Sequence, residues 1–226
     1  MKLYIGNKNY STWSLRAWLI LKQAEIPFEE IKLHMDPTPG SDFKKQIEAI
    51  APAGRVPVLV DDDGLAIWDS LAIAEYLAET FPEKKLWPAD ASKRARARSL
   101  CAEMHSGFTA MRTHLALNVV SSFAEIGARV MSERPDAVAD VARIDQIFSS
   151  QLAESGGPFL FGEFSIADAF FAPVCMRFRT YSIPLSAASA GYMERILGLA
   201  PMQAWTWDAI AESDFIEAYE PYRDHR

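Results

Sequence analysis

Cysteine is scarce in this chain: two in 226 residues, Cys101 and Cys175. They lie far apart, in helical context, and neither belongs to a Cys-x-x-Cys pair. That argues against a dithiol redox motif and a cysteine-based zinc site, and leaves two buried free thiols as the expectation. No apolar run approaches the roughly 18 residues that a membrane span requires. No secretory pattern precedes the first strand, so a cytoplasmic protein without a membrane partner is expected. Long basic runs are also missing. The densest, Lys93-Arg94-Ala95-Arg96-Ala97-Arg98, is interrupted by alanine, and the net charge is −7. A nucleic-acid partner is therefore not expected. No repeat or low-complexity segment stands out. Half of the residues are hydrophobic, enough for a sizeable core in one large domain or two small ones.

What is present falls into two halves. Lys2-Leu3-Tyr4-Ile5-Gly6 reads as a short strand. Leu15, Trp18, Leu19, Ile20 and Leu21 then recur at helical spacing up to Ala24. Residues 28–33 alternate like a second strand after Ile26-Pro27. His34 to Ser41 holds two prolines and a glycine and reads as a loop. Residues 42–50 suit a short helix. Residues 55–60 and 65–68 read as strands around the turn Asp61-Asp62-Asp63-Gly64. Asp69-Ser70 opens a helix that ends near Phe81-Pro82. Residues 82–91 look like a linker.

The rest is helical in pattern. One long helix is expected from about Ala91 to about Asn118 and another from Pro135 to about Glu154. Ser165-Ile166-Ala167-Asp168 has the form of a capping box ahead of a further helix. Later helices are expected at about 187–197 and 201–211. The tail with Tyr219 and Tyr222 reads as either loose or folded back.

Chemistry concentrates at Tyr10-Ser11-Thr12-Trp13-Ser14-Leu15-Arg16. This cluster of hydroxyls sits on a strand-to-helix turn, where free backbone N–H groups and the positive end of the helix dipole gather. An anion there is stabilised without a cationic side chain. Ser11, Thr12 or Ser14 equally suits a plain helix cap.

The order of elements and four motifs resemble the cytosolic glutathione transferases over nearly the whole chain. The motifs are the Ser11–Arg16 turn, Arg55-Val56-Pro57, the Asp69-Ser70 helix start and the Phe164–Asp168 capping box. The serine turn most resembles the theta and zeta classes. Ser11-Thr12-Trp13-Ser14-Leu15-Arg16 approximates a zeta-like Ser-Ser-Cys-x-Trp-Arg, departing at Thr12, Trp13 and Leu15.

The resemblance implies an α/β thioredoxin-like N-terminal domain (1–81), a linker (82–91) and an all-α C-terminal domain (92–226), assembled as a homodimer. It implies glutathione as co-substrate, no metal, and a small electrophile as second substrate. Ser11 is then the expected thiolate donor, with Thr12 and Ser14 as rivals. A free thiol with a pKa near 8.5 is only about 3% ionised at neutral pH, so lowering that pKa is the main catalytic lever.

The same resemblance implies a cis Val56-Pro57 peptide, with the Val56 backbone pairing the cysteinyl part of glutathione. Asp69 and Ser70 would hold the γ-glutamyl ammonium and carboxylate. Trp13 joins this set, and Lys45, His34 and Arg55 are candidates for the glycine carboxylate. Tyr10, Phe108, Met111, Arg112 and Arg177 are candidate liners of the electrophile site; an arginine facing the cleft would point to an anionic co-substrate. The turn has no cysteine, which sets the chain apart from relatives that form mixed disulfides. A glutathione-dependent isomerase of the maleylacetoacetate type, a peroxidase, and a non-enzymatic glutathione-binding module are the alternatives to a transferase.

Overall fold

The computed structural model describes residues 1–223. The N-terminal half runs β1 (Lys2–Ile5), α1 (Thr12–Gln23), β2 (Glu29–Lys32), α2 (Asp42–Ile50), β3 (Val58–Val60), β4 (Ala66–Trp68) and α3 (Ser70–Thr80). The four strands form one sheet in the order β2-β1-β3-β4. β1 pairs parallel with β2 and antiparallel with β3, and β3 pairs antiparallel with β4. Leu3 and Ile5 alternate into the core, as a half-covered strand requires. β3 covers only the last three residues of the stretch 55–60, after a cis Val56-Pro57 peptide.

The C-terminal half is helical: α4 (Ala91–Ser106), α5 (Thr109–His114), α6 (Ala124–Glu133), α7 (Pro135–Ser155), α8 (Ile166–Thr180), α9 (Ala187–Leu197) and α10 (Ala200–Ala211). α8 is buried along almost its whole length. It packs on α1, so one apolar core runs through both halves. Asp168, fully buried at the head of α8, accepts from the Ser165 and Leu160 N–H groups and the Tyr192 hydroxyl. Burial raises its pKa to about 6 even so. Among the described residues no helix is long and apolar enough to cross a membrane.

The single helix expected over 91–118 is interrupted. α4 ends at Gly107, where a Cβ would come within 2.8 Å of the Glu103 carbonyl oxygen. Phe108 follows with φ +58°, and α5 begins after it. Arg112 folds back from α5 to donate to the Met104 and Gly107 carbonyls, groups that α4 leaves unpaired at its end. α6 was not expected from the sequence. Its cap position, Phe123, offers no hydrogen-bonding side chain, so no start signal exists. Tertiary packing holds this helix instead: Gly127 lies so close to the Tyr181 carbonyl that any Cβ would overlap it.

The C-terminal segment folds back over the β1–α1 connection. Glu212 accepts the Lys8 and Asn9 N–H groups at 2.9 and 3.2 Å. Trp205 donates its indole N–H to the Lys8 carbonyl at 2.9 Å. The Tyr10 hydroxyl donates to Glu220 at 2.7 Å, and its ring stacks on Tyr219. Glu220 also receives Asn118 and Arg223. Residues 224–226, the end of the tail considered from sequence, lie outside the described residues.

Candidate functional site

Two cavities meet at the head of α1. The larger, about 640 Å³, is lined by Tyr10, Ser11, Thr12 and Trp13 on one side and Arg112, Arg177 and Tyr219 on the other. The smaller, about 280 Å³, is bounded by Pro57, Trp68, Asp69, Ser70 and His105. Trp13, Arg55 and Val56 line both. The two spaces therefore adjoin as one trough with two arms, sharing these three residues.

The turn itself is built as a cap. Ser11 is the N-cap of α1 and accepts the Ser14 N–H at 3.4 Å. Its hydroxyl lies 2.8 Å from the Ser14 hydroxyl, which also accepts the Gly6 N–H at 3.1 Å. Ser14 is fully buried and reaches neither cavity. Ser11 and Thr12 both line the larger one, each 5% exposed. The Thr12 hydroxyl has no partner among the described residues.

Asp69 and Ser70 face the smaller cavity from the head of α3. One Asp69 oxygen accepts the Leu71 N–H at 2.7 Å; the other lies 3.1 Å from His105 Nε2. Asp69 has φ +74°, a conformation that costs a non-glycine residue about 1–3 kcal/mol and concentrates at ligand sites. The Ser70 hydroxyl is buried without any partner. An orphaned donor on the wall of a cavity fits an incoming carboxylate, because a ligand acceptor removes the desolvation penalty.

The larger cavity is cationic. Lys44, Arg55, Arg112 and Arg177 line it, and among the described residues no Asp or Glu does. That contrasts with a chain of net charge −7. Burial, followed by the neighbouring Arg112, lowers the Arg177 pKa to about 9. Burial also lowers that of Arg112. The Arg112 guanidinium lies 4.9 Å from the centre of the Trp13 ring.

Several candidates fall elsewhere. Lys45 is exposed and pairs with Asp42 at 3.4 Å, whereas Lys44 lines the cavity and donates to the Gly54 carbonyl. Phe43 and Ile47 fix the buried face of α2. A step of roughly 100° per residue then turns Lys44 to the flank and Lys45 to solvent. His34 is exposed, 3.3 Å from Asp214, and lines neither cavity. Phe108 and Met111 are core residues rather than liners, because the kink after Gly107 turns them inward. His105 and Lys44 were missed. Neither belongs to a motif, and His105 reaches the site only because α4 packs beside α3.

Residues 10–80 match the glutathione S-transferase N-terminal domain, and residues 94–225 match the C-terminal domain. The chain belongs to the glutathione S-transferase family. Among curated proteins, it is 28% identical to a probable maleylacetoacetate isomerase of Caenorhabditis elegans and 28% identical to maleylacetoacetate isomerase of Rattus norvegicus, each over 81% of both chains. A shorter match, 42% of this chain and 41% of the other, reaches 38% identity with glutathione S-transferase 1 of Dianthus caryophyllus. Among solved structures, a Burkholderia glutathione transferase homologue with bound glutathione superposes with a TM-score of 0.70. That match covers 93% of this chain and 98% of the other at 23% identity, a likeness of fold. The thioredoxin-like sheet and the all-helical second half are thus those of this family.

Proposed function

We propose that this protein is a glutathione transferase that activates the glutathione thiol at the head of α1 and joins it to an anionic electrophile. The observation that carries the reading is the two-armed trough, with a hydroxyl turn and four cations in its larger arm. The γ-glutamyl end fits the smaller arm. There the orphaned Ser70 hydroxyl meets its carboxylate and Asp69 its ammonium. The cysteinyl part pairs with the Val56 backbone. Its sulfur comes to Ser11 and Thr12, at the positive end of α1.

Ser11 is the principal donor in this reading. Ser11 donates to the Ser14 hydroxyl, which also accepts the Gly6 N–H. Arriving sulfur draws the Ser11 hydroxyl proton away from Ser14, and the Ser14 N–H that Ser11 accepts strengthens the donor. The thiol proton leaves to solvent, and the thiolate attacks the electrophilic carbon as the leaving group departs with its electron pair. Lys44 and Arg55 suit the glycine carboxylate, leaving Arg112 and Arg177 for a carboxylate on the electrophile.

The cationic arm also favours a second reading, isomerisation of an unsaturated acid by addition and expelling of glutathione. The relatives named maleylacetoacetate isomerase support it. A division into domains near residues 82–91, a homodimer and a cytoplasmic location complete the proposal. Leu65 and Trp68, 55% and 42% exposed at the free edge strand β4, offer a second copy an apolar contact.

The test is an ultraviolet difference titration of bound glutathione in the wild type, Ser11→Ala and Thr12→Val. Thiolate absorbance below about pH 8 that disappears in Ser11→Ala supports the assignment. Disappearance in Thr12→Val alone moves the role to Thr12. No thiolate in saturated wild type refutes catalysis at this turn.

A further inference from the structure

Arg16 is the one charged side chain of α1 that is fully buried, and it touches neither cavity. Its Nε and Nη1 have no hydrogen-bond partner. No carboxylate among the described residues lies within ion-pair distance of it. Its guanidinium rests instead against two rings, 4.4 Å from the centre of Trp13 and 4.7 Å from that of Phe170. Ring faces attract a cation but return only part of what water provided. A buried guanidinium is normally matched by a carboxylate, because leaving it alone is costly. This one is unmatched, and it stands one helical turn beyond Thr12.

The groups around it deepen the imbalance. Arg112 from α5 and Arg177 from α8 repel it. Asp69 at the head of α3 and the Cys101 thiol of α4 act in the opposite sense, both weaker than Arg112. Cys101 offers little charge, since burial drives its thiol pKa far up. His105 of α4 also feels Arg16, and burial keeps it neutral below its ordinary range. The arginines thus form a positive cluster beside Trp13 that no carboxylate among the described residues pairs directly; Asp69 and Asp140 act on it only from a distance.

We infer that the uncompensated charge of Arg16 is a second determinant of the bound glutathione thiol's ionisation, acting on the sulfur through space from behind the Ser11–Thr12 turn. This rests on the proposed glutathione site. Arg16 is a positioning residue in the electrostatic sense: it touches no substrate, and it lowers the free energy of the anion that the hydroxyl turn receives. A nearby unit charge in a partly buried setting shifts an ionisation by about one pKa unit, a tenfold change in thiolate at a fixed lower pH.

The experiment titrates bound glutathione by its thiolate absorbance in the wild type and three variants, with affinity measured by calorimetry. Arg16→Gln removes the charge. Arg16→Lys keeps it and serves as the rescue. Cys101→Asp leaves Arg16 in place and gives it the missing counter-ion, so the test stands even if the neutral variant does not fold. The expected result is a thiol pKa raised by about one unit in Arg16→Gln and in Cys101→Asp, and a value near wild type in Arg16→Lys. An unshifted thiol pKa in Cys101→Asp, or in a folded Arg16→Gln that binds glutathione, overturns the inference. So does an equal shift in Arg16→Lys, which would trace the effect to packing. A wild type that binds no glutathione at all fails the proposed function instead.

Discussion

Arg177 offers the sharpest test of the electrophile's charge. It lines the larger cavity and is 6% exposed, and one of its nitrogens donates to the Leu115 carbonyl. A carboxylate about 4 Å from a guanidinium gains about 4 kcal/mol at an effective dielectric of 20. The cavity opens to solvent and Arg112 remains, so about half of that is the expected loss in Arg177→Met, roughly 2 kcal/mol or 30-fold. The assay compares kcat/KM for two electrophiles of equal size, an α-halo carboxylate and its amide. The carboxylate should lose about 30-fold and the amide less than about 3-fold, by the same arithmetic. The ratio cancels damage to the glutathione half of the site.

The pH dependence follows from the same residue. Burial holds the Arg177 pKa at about 9, so its charge is complete well below that pH and lost as pH rises through it. Selectivity for the carboxylate should fall above about pH 9 in the wild type and stay flat in the variant. Equal losses for both electrophiles would refute the reasoning and return Arg177 to a purely structural role.

Two further outcomes are expected. Asp168→Asn should cost about 1–3 kcal/mol in denaturant unfolding, because its amide nitrogen meets the Ser165 or Leu160 N–H donors that the carboxylate accepts. Burial raises the folded pKa of Asp168 to about 6, well above the ordinary carboxylate value. Its contribution is therefore complete below about pH 4 and lost as pH rises to about 6, a dependence that Asn removes. Lys44→Met should raise KM for glutathione several-fold while Lys45→Met leaves it unchanged; the reverse pattern would place the glycine carboxylate on the exposed face of α2.

The parts of this molecule that sequence reveals are those specified by local signals. The Asp61–Gly64 turn, the caps of α1, α3 and α8, and the 3.6-residue period of α7 each announce themselves within a few residues. A single glycine such as Gly107 is tolerated inside a helical pattern, so the 91–118 stretch reads as continuous. α6 has no cap and is held by Gly127 against Tyr181, a contact between residues far apart in the chain. The site divides the same way. Residues in motifs, Ser11, Val56, Asp69 and Ser70, all reach the trough. Those supplied by other elements, Lys44, His105 and Tyr219, depend on packing angles that no local pattern encodes. Ser14 shows the remaining difficulty: three hydroxyls in four residues look equivalent until Gly6 and Ser11 claim one of them.

The fold-back of the C-terminal segment sets an order in time. The connection between β1 and α1 is synthesised roughly 200 residues ahead of the segment that braces it. Its Lys8 and Asn9 amides wait for Glu212, its Lys8 carbonyl for Trp205, and its Tyr10 hydroxyl for Glu220. A nascent N-terminal half can form its sheet, yet these groups stay bonded to water until roughly 200 more residues have been made. The hydroxyl turn at the head of α1 is therefore finished by residues made long after it. A chain cut short before Glu212 would keep every motif residue of the smaller cavity and lose the brace beside the hydroxyl turn.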